Sequence, residues 1–295
     1  MANIPYDEYI KECSFTGKSV TPAVDESANG VENSTVINKA IEDLSQNGGG
    51  TVVIPAGEYK VSTIELKSDV TLFVSKGAKL VSLDCDENEA LGKPLHEAVV
   101  VANDAKNIAI TGGGIICGSG ESYTNEAEEE SPLYALEEFN LYTRVIESRK
   151  RIRFAKDTER NHIIKLNNCT DVSINNIILN ESATWTLVIN CCDNVDIHNV
   201  VIDNHMHVAN TDEIDIMGGN DINVDHCFIA TGDDAIVLKP IDMGIHGVTV
   251  SDCTISSFAN CFKIGTETQK SVDNVKVNNC YFFMPDGMTY GYSGI

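Results

Sequence analysis

Four aspartates lie in two short acidic motifs and have the chemistry that an acid–base reaction needs. Asp212 and Asp215 belong to N-T-D-E-I-D, and Asp233 and Asp234 belong to T-G-D-D-A-I further along the chain. Hydrolysis of a glycosidic bond uses one carboxylic acid to protonate the leaving oxygen and one carboxylate to activate water. Like charges held close together raise the pKa of one carboxyl group, so a single residue type can supply both. The two motifs therefore need a fold that brings them together.

An internal repeat in the second half of the chain predicts such a fold. Its segments, for example C-D-N-V-D-I-H-N-V-V-I and I-H-G-V-T-V-S-D-C-T-I, alternate apolar and polar residues. Their first apolar residues recur every 23 to 27 residues, at Val172, Val195, Ile222, Val248 and Val275, and Ile108 marks an earlier repeat. Each repeat carries a second strand, at His162–Leu166, Trp185–Asn190, Glu213–Met217, Ala235–Lys239 and Cys261–Gly265. Short strands without an intervening helix predict an all-β parallel β-helix with one repeat per coil.

The predicted stacking places the acidic motifs one strand apart. Neighbouring strands lie about 4.8 Å apart, and the second strands can be aligned on Ile214, Ile236 and Ile264 as inward-pointing residues. This alignment pairs Asp212 with Asp234 and Thr211 with Asp233, puts Trp185 in the column of Asp212, and puts Lys263 beside Ala235 and Glu213. Because a buried unpaired carboxylate is costly, we expect the aspartates at a turn that opens on a groove.

Two further columns test the register of the repeat. The first apolar residues of the repeats serve as anchors for the alignment. Four residues after these anchors lie Asn176, Asn199, His226, Asp252 and Asn279. One residue later lie Ile177, Val200, Cys227, Cys253 and Cys280. Small polar residues at a fixed position indicate a ladder of turns. Thiols that alternate with aliphatic residues indicate an interior stack rather than a metal site, because no paired C-x-x-C motif is present.

The N-terminal part of the chain predicts a cap on the solenoid. Residues Asn33–Ser45 have helical apolar spacing, with Asn33 or Ser34 as the N-cap, and Ile37, Ala40, Ile41 and Leu44 form one face. We expect this helix to cover the open end of the β-stack. Residues 1–295 then form a single domain, with a cap over about 1–50, excursions over about 84–97 and 118–160, and regular coils from about 161 to 295.

Composition excludes some partners. The formal charge of −23 argues against nucleic acid and anionic membranes. Residues Asn140–Lys165 are basic and include Arg160; they are either a solvated loop or a rim that attracts a carboxylated sugar. The first residues lack the pattern of a signal peptide, and the ten cysteines suit buried thiols. We expect a cytoplasmic protein, or a secreted one if a leader has been removed.

The motifs resemble those of the polygalacturonases, the pectin-hydrolysing glycoside hydrolases of family 28. N-T-D-E-I-D and T-G-D-D-A-I are similar to their N-T-D-G-x-D and G/Q-D-D signatures, N-G-G-G-T-V-V-I-P-A-G-E-Y (Asn47–Tyr59) to their opening strand, and S-A-T-W-T-L (Ser182–Leu187) to their S-P-x-W-x-L segment. The resemblance implies a right-handed parallel β-helix that inverts the anomeric centre of a pectic substrate without metal or cofactor. It implies that Asp233 is the general acid and that Asp212 and Asp234 activate water. We assign substrate binding to Asn210, Asp215, Lys263, Trp185 and Arg160.

Three departures from the family pattern concern substrate recognition more than hydrolysis. Glu213 replaces a glycine, which we expect to place a further acid at the cleft, and Ala259 stands where the family has a histidine. His246 lies half a coil from the acids, so we discount it, and His205 and His207 suit loop positions. The family's R-I-K motif would follow Ile295, so Lys263 is expected to substitute in part.

Two other functions remain open. One is a carbohydrate-binding β-helix that has lost catalysis. The other is a calcium-dependent pectate lyase, which ranks last because no arginine is close to the acidic motifs in sequence. The apolar ending after Tyr281 predicts an open last coil, through which we expect the protein to associate with itself.

Overall fold

Parallel strands stack in three faces that follow one another around each coil. The computed structural model describes residues 6–11, 13–91, 98–124, 156, 159–205, 208, 210–257 and 259–283. Every named strand pair is parallel, and the described chain forms a right-handed parallel β-helix. The α-helices are α1 (Tyr6–Tyr9), α2 (Gly30–Gln46) and α3 (Cys85–Ala90), and a 3₁₀ turn spans Gly120–Tyr123.

The three faces are defined by their strands. The first face contains β1 (Ser19–Val20), β2 (Gly50–Ile54), β5 (Val70–Val74), β8 (Lys106–Thr111), the beginnings of β11 (Thr170–Asn180) and β13 (Cys192–Asp203), β15 (Gly219–Asp225), β18 (Ile245–Ser251) and β21 (Val272–Asn278). The second face contains β3 (Gly57–Val61), β6 (Ala78–Ser82), β9 (Ile115–Cys117), the ends of β11 and β13, β16 (Phe228–Thr231), β19 (Thr254–Ser257) and β22 (Tyr281–Phe283). The third face contains β4 (Ile64–Leu66), β7 (Ala98–Asn103), β10 (His162–Asn167), β12 (Leu187–Asn190), β14 (Ile214–Ile216), β17 (Ile236–Leu238) and β20 (Phe262–Ile264).

The register predicted for the first face is confirmed. The anchor residues pair in sequence order, Ile108 with Val172, then Val195, Ile222, Val248 and Val275. All except Val275 are buried, and the core runs continuously through the coils. Alternation along each strand therefore supplies the interior, as the period of two requires.

The predicted ladder of turns joins the first and second faces. Asn176, Asn199, His226, Asp252 and Asn279 all adopt left-handed backbone conformations, with φ between 46° and 54°. Asparagine and aspartate tolerate this region better than other residues with a side chain. The next column points inward, and Cys227 and Cys253 are buried there as free thiols. The interior interpretation of these cysteines is confirmed.

Helix α2 covers the first coil, but it begins earlier than expected. Its N-cap is Asn29, which forms a capping box with Glu32, so the expected cap at Asn33 or Ser34 is wrong. Those two side chains are buried and bond the first coil instead: Asn33 Nδ2 donates to the Lys60 carbonyl at 3.0 Å, and Ser34 Oγ accepts from the Ser62 amide at 2.9 Å. The apolar face through Ile37, Ala40, Ile41 and Leu44 is buried as expected.

The segment before α2 differs from the expected cap. Helix α1 lies along the outer side of the second face, where the Tyr9 ring packs 5.6 Å from the Phe228 ring. Tyr6 Oη donates to Asp203 at 3.1 Å, and Tyr9 Oη bonds Thr254 Oγ1 at 3.0 Å. An outward row of apolar side chains (Ile178, Val201 and Phe228) explains this position, because the segment removes them from water.

The expected excursions are described only at their beginnings. The first contains α3, which Asp84 caps together with Glu87, and the second begins with the 3₁₀ turn. Most of the second excursion, the histidine at 207 and the tail 284–295 that bears on self-association lie outside the described residues. Within the part of the chain that is described, no helix is long and apolar enough to cross a membrane.

Candidate active site

The acidic motifs meet at the turns between the second and third faces. Asp212 precedes β14, and Asp233 and Asp234 precede β17 in the next coil. Backbone hydrogen bonds continue the stacking beyond the strands: the Thr186 amide donates to the Asp212 carbonyl at 2.8 Å, and the Glu213 amide donates to the Asp234 carbonyl at 3.1 Å. The predicted pairing of Asp212 with Asp234 is therefore present.

The three carboxyl groups converge. Oxygen atoms of Asp212, Asp233 and Asp234 all lie within 4.8 Å of one another. Asp212 and Asp234 are buried, whereas Asp233 is half-buried. Burial is the main cause that raises the pKa of Asp212, to about 6, and the charge of Asp233 adds to this rise. Burial, followed by the charge of Asp234, also raises the pKa of Asp233.

Lys239 is the main functional residue that the sequence analysis missed. Its Nζ lies 2.8 Å from Asp212 Oδ2 and 2.8 Å from Asp215 Oδ1, and 4.0 Å from the centroid of the Trp185 ring. The lysine side chain is 4% exposed, and its two carboxylate partners raise its pKa against the effect of burial. A lysine that ends the apolar run I-V-L-K, two strand positions beyond the level of Asp215, was the available signal.

Asp215 was assigned to substrate binding, and the structure corrects this. Its side chain is fully buried, so a sugar in the groove does not reach it. Asp215 alternates outward from the strand, but Lys239 covers it and forms its ion pair. Burial raises the pKa of Asp215 strongly, the charge of Asp212 adds to this, and Lys239 opposes it. Asp215 thus lies beneath the three converging carboxyl groups.

Lys263 and Asn260 hold Asp234. Lys263 Nζ donates to Asp234 Oδ2 at 2.7 Å, and Asn260 Nδ2 donates to Asp234 Oδ1 at 2.6 Å. The register predicted for Lys263 was wrong by two residues: it pairs with Val237, because Ile236 aligns with Phe262 and not with Ile264. The outward direction of Lys263 was correct, and its side chain remains 31% exposed.

Backbone amides hold Asp233. Its two carboxylate oxygens accept hydrogen bonds from the amides of Asn210 and Asp234, at 3.2 Å and 3.0 Å. Its own amide donates to Thr231 Oγ1 at 3.2 Å, and its carbonyl accepts from Ser257 Oγ at 2.6 Å. The position of this carboxyl group is therefore fixed by the turn itself.

Glu213 was expected at the cleft and instead points into the interior of the coil. The side chain is completely buried, and both carboxyl oxygens lie 3.0 Å from Asn204 Nδ2. Burial raises the pKa of Glu213 strongly, although hydrogen bonds from Thr231, Thr186 and Asn204 oppose the shift. The reason for the correction is the bend before β14: Glu213 lies in this bend and not in the strand, and its side chain turns to Asn204, whereas Asp212 contacts Lys239.

Arg160, Asn210 and Trp185 line one wall of the site. Arg160 donates to the Asn210 side chain at 3.0 Å and to the Ala183 carbonyl at 2.9 Å. Trp185 is half-buried and stacks on His162, with ring centroids 5.8 Å apart. Arg160 is also close enough to Asp212 for that carboxylate to act on its pKa, so an arginine does lie near the acids. These three predicted binding residues are brought together.

The structure describes three of the positions that the sequence analysis considered in connection with a histidine. Ala259, at the position of the family's histidine, has its amide bonded to Ser257 Oγ at 2.8 Å. His246 bonds Asp273 on the outer side of the first face, away from the site. His205 lies 3.7 Å from Glu121.

Two groups of side chains have donor atoms close enough to share a cation. They are Asp212, Asp233 and Asp234, and Asp196, His198 and Asp225 on the outer side of the first face. In the first group, ammonium groups already lie 2.7 to 2.8 Å from two of the carboxylates. In the second, the partly exposed side chains bond one another, His198 Nδ1 lying 2.7 Å from Asp196.

Comparisons with known proteins show the family and the fold of the chain. The sequence model of Glycosyl hydrolases family 28 matches residues 45–286. The chain is 21% identical over 273 residues to a "Probable polygalacturonase" of Vitis vinifera, covering 84% of this chain and 51% of that protein. It is 22% identical over 288 residues to an endo-polygalacturonase of Pectobacterium carotovorum, and this match covers 83% of this chain and 68% of that protein.

A solved structure shares the fold. The exopolygalacturonase of Thermotoga maritima superimposes with a TM-score of 0.69 at 22% identity, over 95% of this chain and 72% of that one. The chain spans about half the length of the first curated relatives, 51% and 46%.

Proposed function

Because the chain belongs to glycosyl hydrolase family 28, we propose that it hydrolyses glycosidic bonds in pectic or related uronic-acid-containing poly- or oligosaccharides. The observation that carries the proposal is the convergence of three carboxyl groups from two successive coils, with oxygens within 4.8 Å of one another. A general acid and a water-activating base are the two groups that such a reaction needs.

In this proposal Asp233 donates the proton, and Asp212 and Asp234 activate the water. A water that donates one hydrogen bond of about 2.8 Å to each of two carboxylate oxygens bridges oxygens roughly 4.5 Å apart. The oxygens of Asp212 and Asp234, which lie within 4.8 Å of each other, suit such a bridge. Removal of one proton by this pair makes the water oxygen the nucleophile at the anomeric carbon. The glycosidic oxygen takes the proton of Asp233 as its bond to that carbon breaks.

We propose inversion at the anomeric carbon, a proposal that concerns the separation of the carboxyl groups and can be tested directly. Inverting enzymes usually have carboxyl groups about 6.5–9.5 Å apart and retaining enzymes about 5–5.5 Å. The carboxyl oxygens of this site are closer together than is usual in inverting enzymes. This short separation fits a water held between two bases, and not a water that lies between an acid and a base. Proton NMR of the first-formed product decides: an anomer of unchanged configuration would mean that an aspartate attacks the sugar.

Positive groups on the rim favour a substrate that carries carboxylates. Arg160 and Lys263 are the partly exposed cations of the described site, and both lie at its wall. A uronate residue is attracted to such groups, and the matched relatives carry names of enzymes that act on polygalacturonate. A binding-only β-helix is the second candidate, favoured by one observation, the alanine at position 259.

The test is hydrolysis of polygalacturonate, oligogalacturonides and rhamnogalacturonan, measured as new reducing ends in the presence of a chelator. Asp233→Asn should lower the rate about 100-fold or more, the usual contribution of a general acid. Asp43→Asn, the same change on the exposed side of α2, should leave the rate unchanged. Binding without hydrolysis would establish the binding-only function, and an unsaturated product that chelator abolishes would establish a lyase.

A further inference from the structure

The three aspartates of the site differ in their cations. Asp212 is paired with Lys239 and Asp234 is paired with Lys263, each at 2.7 to 2.8 Å. Within the described part of the chain, no lysine, arginine or histidine lies at ion-pair distance from Asp233. Two ammonium groups thus pair with two of the three converging carboxylates.

We propose that Lys239 and Lys263 are positioning residues that assign the roles of the aspartates. They hold Asp212 and Asp234 as carboxylates and leave Asp233 as the group that carries the proton. The inference rests on the proposed hydrolysis, but the charge assignment can be measured without any substrate.

The Asp212 side of the site shows why a lysine is needed. Burial drives this carboxyl group toward its neutral form, and the charges of Asp233 and Asp234 act in the same direction. Lys239 is the cation in contact, with Arg160 acting from the wall and Glu267 4.0 Å from the lysine on its other side.

Because Lys239 touches both Asp212 and Asp215, one ammonium group must stabilise two buried carboxylates. Trp185 covers the lysine with the face of its ring and excludes water from it. A weakly screened ammonium group exerts a strong effect on the carboxylate that it contacts. Lys239 therefore acts on Asp212 from within the protein, without reaching the groove.

The Asp234 side uses a different pair of donors. Each oxygen of Asp234 accepts one hydrogen bond, Oδ1 from Asn260 and Oδ2 from Lys263. A protonated carboxyl group would have to give up one of these bonds, because its O–H oxygen faces a donor. The other charged neighbours, Asp233, Asp212 and the more distant Lys239, do not occupy these positions. Both donors come from the coil in which the sequence departs from the family's histidine motif.

Asp233 experiences the opposite conditions. It accepts only backbone amides, is half-buried, and lies against the carboxylates of Asp234 and Asp212. Once the lysines have fixed two negative charges beside it, a third charge is the costly one. The proton therefore stays on Asp233, which is the state that a general acid needs.

The test uses Lys263→Met, because Lys263 is partly exposed and its loss does not open the core. The unliganded protein, with ¹³C-labelled aspartate carboxyl groups, is titrated by NMR, and signals are assigned with Asp233→Asn and Asp234→Asn. Loss of a contacting positive charge should move the titration of the group of three aspartates to higher pH, by about one pH unit. Lys276→Met, on the exposed outer side of the first face, removes the same charge and should not move it. Lys263→Arg should restore most of the wild-type midpoint.

The kinetic consequence separates a charge effect from a merely structural one. In Lys263→Met the acidic limb of the pH profile of kcat/KM should move to higher pH. At a pH below the acidic limbs of both proteins, kcat/KM of the variant should then be lower than that of the wild type by about tenfold for each pH unit of this movement. An unmoved titration of the three aspartates, or an equal loss of rate at every pH, would overturn the inference. A protein that hydrolyses none of the pectic substrates, but in which the titration of the three aspartates moves as expected, would overturn the proposed function and leave the charge assignment standing.

Discussion

Replacement of Lys239 by methionine should destabilise the fold through its two buried carboxylates. Methionine fills a similar volume but removes the one ammonium group that contacts Asp212 and Asp215. Those side chains are 5% and 0% exposed, so water cannot replace the lost charge. Removal of one partner from a buried ion pair costs about 3–5 kcal/mol.

The expected change in melting temperature follows from the size of the chain. With an unfolding entropy of roughly 2.1 cal/mol/K per residue, 295 residues give about 0.6 kcal/mol/K. A loss of 3–5 kcal/mol then lowers Tm by about 5–8 °C at pH 7, measured by calorimetry or circular dichroism. The loss should shrink toward pH 4, because both carboxyl groups take up protons in the folded variant while the wild type loses the partners of its lysine.

Two further variants make this result specific. Lys276→Met removes a positive charge from the exposed outer side of the first face and should change Tm by less than about 1 °C. The double variant Lys239→Met, Asp215→Asn removes the lysine together with one of its two buried partners and should recover part of the lost stability. A loss below about 1 °C for Lys239→Met, or one that does not depend on pH, would refute the view that Lys239 neutralises two buried charges.

Two other predictions concern the interior and the turns. Glu213→Gln should stabilise the protein increasingly as pH rises above about 4: the folded-state pKa of Glu213 is raised, so the wild type loses about 1.4 kcal/mol for each pH unit over which only the unfolded chain is ionised. Equal pH profiles of Tm for variant and wild type would contradict a protonated buried glutamate. Asn199→Ala should cost about 1–2 kcal/mol, because φ is 52° at this turn, whereas Asn199→Gly should cost less; urea denaturation compares the two, and equal losses would exclude backbone strain as the cause.

The regular part of the fold was predictable because one period fixes several properties together. A single alignment of five apolar anchors gave the pairing of the first face, the left-handed turn column and the interior thiols. A second left-handed column passes through Asp171, Asn194, Asp221, Gly247 and Asn274, one residue before the anchors, and was not recognised. Its Asn, Asp and Gly content was the available signal.

The third face was predicted less well because its strands are short. Three residues of β17 and three of β20 allow more than one alignment of inward isoleucines, and Ile264 was chosen where Phe262 is correct. The start of α2 was missed for a similar reason, since Asn29, Asn33 and Ser34 all suit an N-cap and only the capping box with Glu32 distinguishes them. Local sequence does not decide between alternatives that tertiary contacts separate.

Some residues of the site could be predicted from the sequence, and others could not. Asp212 and Asp234 follow from strand spacing alone, but Lys239 and Glu213 become meaningful only when the direction of each side chain is known. Asp212 leaves the chain toward the groove, where Lys239 can keep it ionised, whereas Glu213 leaves toward a core with no cation.

Inside the solenoid the carboxyl group of Glu213 meets neutral donors from Thr186, Asn204 and Thr231, and burial raises its pKa strongly. Glu213 fits because the residue stacked on it in the next coil is only Ala235, which leaves the carboxyl group room inside the solenoid. Asp212 and Glu213, although adjacent, thus lie in opposite surroundings. The difference arises because the bend before β14 directs one side chain to an ammonium group and the other to hydroxyl and amide donors.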